Sequence, residues 1–299
     1  MHDHGVQELM ADASLMRALL AGLMLAIATA PLGVFLILRR MSLIGDAFGH
    51  AILPGAAGAA LLSGGATWAI SLGAALTGTT VFISASYVGR ILRLPEDAGF
   101  ALFFMSALAL GVLVSHSGGP DIHLEELLFG NAMGLDATAL VLCAIAMIVS
   151  VIGMRIIFRP LMMDTLDGPF LANAGRGSSI GHIAQGVFFG LLALTSVAAF
   201  HALGALMAVG MTIIPAIGAR YWARTIPAMM VSAAVIAGIG VCIGLLVAAV
   251  GHLPAGAAII LSLVVLAFGS AIFAPVGSVC SRHGLAFYKP GSKVATSNT

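Results

Sequence analysis

The chain has 299 residues, 60% of them hydrophobic and only 8% charged, with a formal net charge of +1 and a mean hydropathy of +1.10. A soluble domain carries about 25% charged residues, so this composition excludes a soluble globule, a disordered tail and a disulfide scaffold, and its near-zero charge gives no electrostatic footprint for nucleic acid. At roughly 20 apolar residues per membrane helix, the length allows about eight to ten crossings of a lipid bilayer.

Motifs for soluble chemistry are missing. The two lysines, Lys289 and Lys293, follow Tyr288 and Ser292, so the Gly-Lys-Ser/Thr of a phosphate-binding loop does not occur. H-E-x-x-H is absent as well. The chain therefore reads as a non-enzyme with no ATP-binding motif of its own. Cys143, Cys242 and Cys280 are widely spaced and read as small apolar fillers.

From the N-terminus, the first sixteen residues carry His2, Asp3, His4, Glu8 and Asp12 and no Lys or Arg. A secretory leader begins basic, so the first apolar stretch reads as a retained span. Glycine clusters, prolines and charges then divide the chain into spans 16–38, 43–63, 66–89, 98–116, 137–158, 180–200, 202–220, 227–250 and 255–275. The expected fold is an all-α polytopic membrane protein of about nine transmembrane helices, N-terminus outside and C-terminus cytosolic. Residues 1–15 form an extracytoplasmic segment, 16–275 the transmembrane domain and 276–299 a cytosolic tail. The pairs 43–63/66–89 and 180–200/202–220 read as tight hairpins, with a re-entrant element as the alternative for one of them. Nine crossings put every Lys and Arg except Arg17 on the cytosolic side, as the positive-inside rule requires. The outer face then gathers acids and histidines, which concentrates cations; the plainer alternative is that acids simply avoid cytosolic loops.

Two polar segments stand apart from the spans. Ser117–Leu135 reads as an outer loop with a short surface helix over His123–Phe129. Residues 160–179 read as the longest cytosolic loop, with a short helix opened by Pro169 and closed near Gly175. Its apolar Phe170, Leu171 and Ala174 suit a protein partner, or else an ordinary connector folded back on the membrane.

The stretch from Arg39 to Ala57 reads RRMSLIGDAFGHAILPGAA. Asp46 and His50, spaced i, i+4, share one helix face one to two turns inside the cytosolic boundary. A carboxylate at the centre of a membrane helix costs about 2.5–3.5 kcal/mol on insertion scales, and a divalent metal is one way to offset that. A carboxylate with an imidazole is a partial ligand set for zinc or manganese, too small for a tight structural site but suited to an ion that must be released. The competing reading has Asp46 stabilised by the helix N-terminus and hydrogen-bonded to His50. Pro54 and Gly55 follow and are expected to bend the helix. Further along, His201 reads either as a ligand in an outer vestibule or as an interfacial hydrogen-bonding residue, and His252 as a vestibule ligand or a solvated helix cap. Gly204, Gly210 and Gly218 suit close helix packing, and Pro215 among them suggests a broken helix.

The run from Ala18 to Leu62, with its GD-x-x-x-H block at Gly45–His50, resembles the opening of the metal-ion ABC permeases, the membrane subunits of zinc, manganese and iron uptake systems. The likeness continues in ELLFGNAMGLD near 126–136, ALGALMAVGMTIIPAIGAR near 202–220 and HLPAGAAIILSLVVLAFGSAIFAP near 252–275. It implies a multi-pass protein of the cell (inner) membrane that pairs with a second copy of itself, a cytosolic ATP-binding subunit and an extracytoplasmic metal-binding protein. It also implies no permanently bound cofactor, a transported divalent metal (zinc ahead of manganese), an ion path past Asp46 and His50, and ATPase docking through Asp167, Pro169, Phe170 and Leu171. Relatives often read Asp-Pro-acid-Phe-Ala at that last place, whereas this chain has Asp-Gly-Pro-Phe-Leu. A proton-coupled secondary metal transporter, with Asp46 as proton relay, is the alternative.

Overall fold

Lipid offers no hydrogen bonds, so an apolar backbone inside it must satisfy its own polar groups, and a helix is the local way to do so. The computed structural model describes residues 2–41, 51–64, 67–92, 96–117, 137–166, 176–251 and 253–276. Among these residues the chain forms helices and no strand: α1 (His2–Leu38), α2 (Leu53–Ser63), α3 (Thr67–Ile91), α4 (Glu96–Ser117), α5 (Ala137–Leu166), α6 (Arg176–Leu203), α7 (Ala205–Ala219), α8 (Ile226–Gly251) and α9 (Ala255–Phe273). By length and composition, α1, α3, α5, α6, α8 and α9 each hold a stretch able to cross a bilayer, while α4 and α7 hold shorter apolar stretches, Gly99–Gly111 and Met207–Ala219. The 11-residue α2 is about 16 Å long, half of a bilayer core.

Prolines do not break these helices. Pro31, Pro160 and Pro215 lie inside α1, α5 and α7, which corrects the expectation of a break at Pro215. It also carries α5 past the expected end at 158 to Leu166, so the 160–179 segment is helical up to Leu166 and again from Arg176. An interior proline removes one backbone bond, and neighbouring helices in a bundle hold the turn in place. In α1, Pro31 deprives the Ile27 carbonyl of its donor, and at the adjacent carbonyl, Ala28, the Ser150 hydroxyl of α5 donates a 2.9 Å bond. Pro54 lies in the first turn of α2, where proline is tolerated, just after a turn at Ile52 that follows the helical Ala51. The break between α6 and α7 falls at Gly204, whose φ of 89° and ψ of 165° suit glycine almost alone.

The helices alternate in direction, as their contacts reveal. α5 runs parallel to α1: Ser150 meets Ala28, Phe158 meets Phe35 with ring centroids 6.1 Å apart, and Asp164 meets Arg39. α6 returns, with Ala198 beside Cys143 and Leu191 beside Gly153. α7 and α9 run together, Met207 lying by Gly256 and Ala267 by Gly218, while α8 opposes α9, placing Gly244 on Ile259 and Gly240 on Leu263. In the same way Gly55 and Ala59 of α2 face Thr77 and Gly73 of α3, an antiparallel pair.

Helix α1 is the centre, packed by α5, α6, α7 and α8, with Leu25, Leu32, Phe35 and Leu36 fully buried. Its closest crossing is at Gly33, where a Cβ would overlap the Thr212 carbonyl of α7 and press on Ala216. A second device joins α2–α4 to this centre. Ring pairs run from Phe35 to Phe188 at 6.2 Å, from Phe189 to Phe82 of α3 at 4.3 Å, and from Phe82 to Phe100 of α4 at 4.8 Å. The outward faces carry large apolar side chains, such as Ile156 and Phe273, as a lipid-facing surface does.

Substituting Gly33 by Ala should drive α1 and α7 apart and destabilise the purified protein by about 1–3 kcal/mol, the usual cost of overpacking. A lowered melting temperature in detergent is the expected result, and the same change at Gly58, which has open space around it, should leave the melting temperature alone.

Candidate functional site

Asp46 and His50 fall in 42–50, outside the described residues, as do His252 and the docking candidates Asp167, Pro169, Phe170 and Leu171. What the structure establishes is how the chain is held on either side of these segments.

Before 42–50, α1 ends in a Schellman motif. The Met41 N–H donates to the Leu36 carbonyl at 2.8 Å and the Arg40 N–H to the Ile37 carbonyl at 3.0 Å. The motif requires a left-handed residue, normally glycine, after the last helical turn; here Arg40 takes that place at φ 59°. Met41 then turns inward and is 1% exposed. After 42–50, Ala51 and Ile52 are buried, and α2 begins against α3. A Cβ at Gly55 would overlap Thr77 Oγ1 and the Gly73 carbonyl, so two glycines let the backbones touch. The segment carrying Asp46 and His50 therefore starts and ends on fixed points.

The N-terminal anchor is also charged. Arg39 Nη2 donates to Asp164 Oδ2 at 2.7 Å and Arg39 Nε donates to Thr165 Oγ1 at 3.0 Å. The Thr165 hydroxyl donates its own proton to the Leu161 carbonyl at 2.7 Å, which leaves a lone pair for the arginine. Arg39 is 8% and Asp164 20% exposed, so neither charge is freely solvated. Breaking a fully buried pair by removing one partner costs about 3–5 kcal/mol, and the partial exposure of Asp164 lowers that figure. The sequence reading missed this pair because it took Arg39 only as a topology marker and Asp164 only as a loop residue; the one available signal was an acid inside the expected loop with no neighbouring base.

The end of the bundle that holds Arg39 also holds Arg40, Arg159 and Arg220, together with Arg176 at the start of α6 and Arg224 between α7 and α8. There too the Val276 N–H donates to the Tyr221 carbonyl at 3.0 Å, tying the end of α9 to the α7–α8 turn. The α6–α7 and α8–α9 joints lie at the opposite end. His201 lies half-buried in the last turn of α6, and a Cβ at Gly256 would lie 3.5 Å from the Leu203 carbonyl. The α6–α7 joint and the start of α9 are thus neighbours, which puts His201 and the start of α9 at one end. Among the described residues, no three His, Cys, Asp or Glu side chains form a metal-holding group.

A left-handed residue without a glycine's freedom is strained, and more so when β-branched. Arg40→Val should therefore lower the melting temperature of the purified protein by an amount corresponding to about 1–2 kcal/mol, whereas Arg40→Gly should not lower it.

Comparison with known proteins fits this architecture. Residues 11–274 match the family described as ABC 3 transport family. The chain is 33% identical over 281 residues to the "Manganese transport system membrane protein MntC" of Halalkalibacterium halodurans, covering 92% of each chain. It is 29% identical over 261 residues to the "Manganese import system permease protein ScaB" of Streptococcus parasanguinis, covering 87% of this chain and 91% of that one. Among solved structures it resembles "PsaBC from Streptococcus pneumoniae in complex with Fab", with a TM-score of 0.77 and 25% identity over 95% of this chain and 100% of the other. A multi-pass helical bundle, packed around α1 and matched along nearly its whole length, belongs to the ABC 3 transport family of metal-ion ABC transporter permeases.

Proposed function

We propose that this chain is the permease subunit of an ATP-driven importer whose cargo is manganese, with zinc second. The observation that carries the reading is the likeness, over nine-tenths of the chain, to a relative named for manganese transport. Chemistry agrees, because a carboxylate suits manganese and an imidazole suits zinc or manganese. This ordering of cargoes departs from the sequence reading, in which the imidazole put zinc first.

In this reading the Arg-rich end faces the cytosol, as the positive-inside rule demands. The N-terminus then lies outside and nine crossings follow, α2 completing a span that begins in 42–50. The 167–175 segment, leaving α5 at the same Arg-rich end, meets the ATP-binding subunit through Asp167, Pro169, Phe170 and Leu171. At the other end, His201 and His252 flank the vestibule where a metal-binding protein delivers the ion. Asp46 and His50 line the path, and a second copy supplies a second pair. Two loose ligands per chain fit a site that must also let go. ATP binding on the partner subunit rocks the halves between outward- and inward-open states. Membership of an ABC family favours this energy source over a proton gradient.

In proteoliposomes holding the permease with its ATPase subunit, Asp46→Asn and His50→Ala should each reduce ATP-dependent manganese uptake to background while the complex still co-purifies. Uptake at the wild-type rate in both variants would remove the pathway role. Cysteines placed at Ser117 and Ser178 should react with an impermeant maleimide from opposite sides of the membrane; labelling from one side only would refute nine crossings.

A further inference from the structure

The Arg39 guanidinium does not grip one carboxylate with both arms. It spreads over two consecutive residues of α5, Nη2 on Asp164 and Nε on Thr165. A planar fork held at two points resists rotation of the helix end as well as separation from it, whereas an ammonium at the same place holds only one point. Arg39 is the residue just before the strained Arg40 turn, seven positions before Asp46, and Thr165 is two positions before Asp167. Backbone and side chain thus join the two segments whose roles were argued above, across 125 residues of sequence. Elsewhere along the α1–α5 seam the described polar contact is the buried Ser150 hydroxyl on Ala28, nearer the middle of the bundle, which holds spacing but carries no charge.

We propose that Arg39 is a positioning residue, which with Asp164 and Thr165 forms a rigid link that passes movement of the 167–175 segment to the chain carrying Asp46 and His50. The proposal rests on the importer reading for what the two segments do. Its physical content is narrower: the last turn of α5 and the end of α1 move as one body. Rotation of α5 at its Leu166 end then cannot occur without displacing the start of 42–50, because the Schellman turn leaves no slack between Arg39 and Met41.

The test uses the permease assembled with its ATPase subunit in proteoliposomes, with manganese chloride as the probe. In Arg39→Lys, which keeps the charge and loses the second contact, and in Thr165→Val, which keeps the shape, ATP hydrolysis should continue while manganese imported per ATP falls about tenfold, within the usual range of site-to-site coupling. The double exchange Arg39→Asp/Asp164→Arg should recover part of the ratio lost in either single reversal. An unchanged ratio in both conservative variants overturns the proposal. So does a parallel loss of assembly, hydrolysis and uptake, since the contact would then be structural alone. A second readout needs no cargo: in a cysteine-free background carrying Ser42→Cys, alkylation should change on ATP addition in the wild-type pairing and stop responding with Arg39→Lys. Wild-type vesicles that show this ATP response but import no manganese would count against the cargo and leave the link standing.

Discussion

The contact on which the bundle depends is backbone against backbone, where α1 crosses α7 at Gly33 and Thr212. In lipid, helices gain little from hiding apolar surface, because the solvent is as apolar as they are. Association rests on close approach and the dispersion that comes with it. A central helix must then be small wherever a neighbour crosses it. α1 obliges with buried Ala18, Ala21, Ala26, Ala28 and Ala30, and with Gly22 set against Val241 of α8. Larger buried residues such as Leu25 and Leu32 sit between these crossings, and Phe35 meets the rings of Phe158 and Phe188. The same rule holds away from the centre, at Gly55 with Gly73 and at Gly244 with Ile259.

Polar groups follow a second constraint. Inside the bundle, hydroxyls mostly return their proton to their own helix: Thr29 to Leu25, Thr195 to Leu191, Thr212 to Ala208. Each is satisfied without asking anything of a neighbour. Ser150 is an exception that reaches across to α1 beside a proline-depleted turn. Full charges are pushed to the ends, and there Arg39 and Asp164 pair where solvent only partly reaches them. Neutral seams in the middle and a charged link at one end divide the labour. The middle sets distance between helices, and the end sets orientation.

That division bears on the proposed transport role. An ion path needs ligands that are held in place yet bind weakly, and two side chains on one short segment can do this only if the segment itself is firmly placed. The Schellman turn with Arg40 at φ 59° and the glycine contact of α2 on α3 anchor the chain just before 42–50 and just after it, which is what the proposed role asks of the flanking structure. Strain of the Arg40 kind persists only where surrounding structure over-determines it, here through buried Met41 and the two hydrogen bonds that close the turn.

Much of this was legible in the residues. Apolar runs and their interruptions located the helices, since each residue's preference for lipid or water acts locally; the expected spans from 66–89 to 255–275 all overlap an observed helix. The Gly210 and Gly218 spacing announced a packed face, found against α9 at Ile260 and Ala267. Family likeness was carried by the GD-x-x-x-H block. Other features were decided only by the fold. Whether a proline ends a helix depends on neighbours that hold the turn, so Pro160 and Pro215 misled, while Gly204, read only as a packing glycine, breaks the chain through its own φ and ψ. The centrality of α1 depends on how many helices can approach it at once. The bond of Arg39 to Asp164 joins residues far apart in the chain, and no local pattern encodes it: charge and hydropathy say where a residue can live, but only three-dimensional packing chooses its partner.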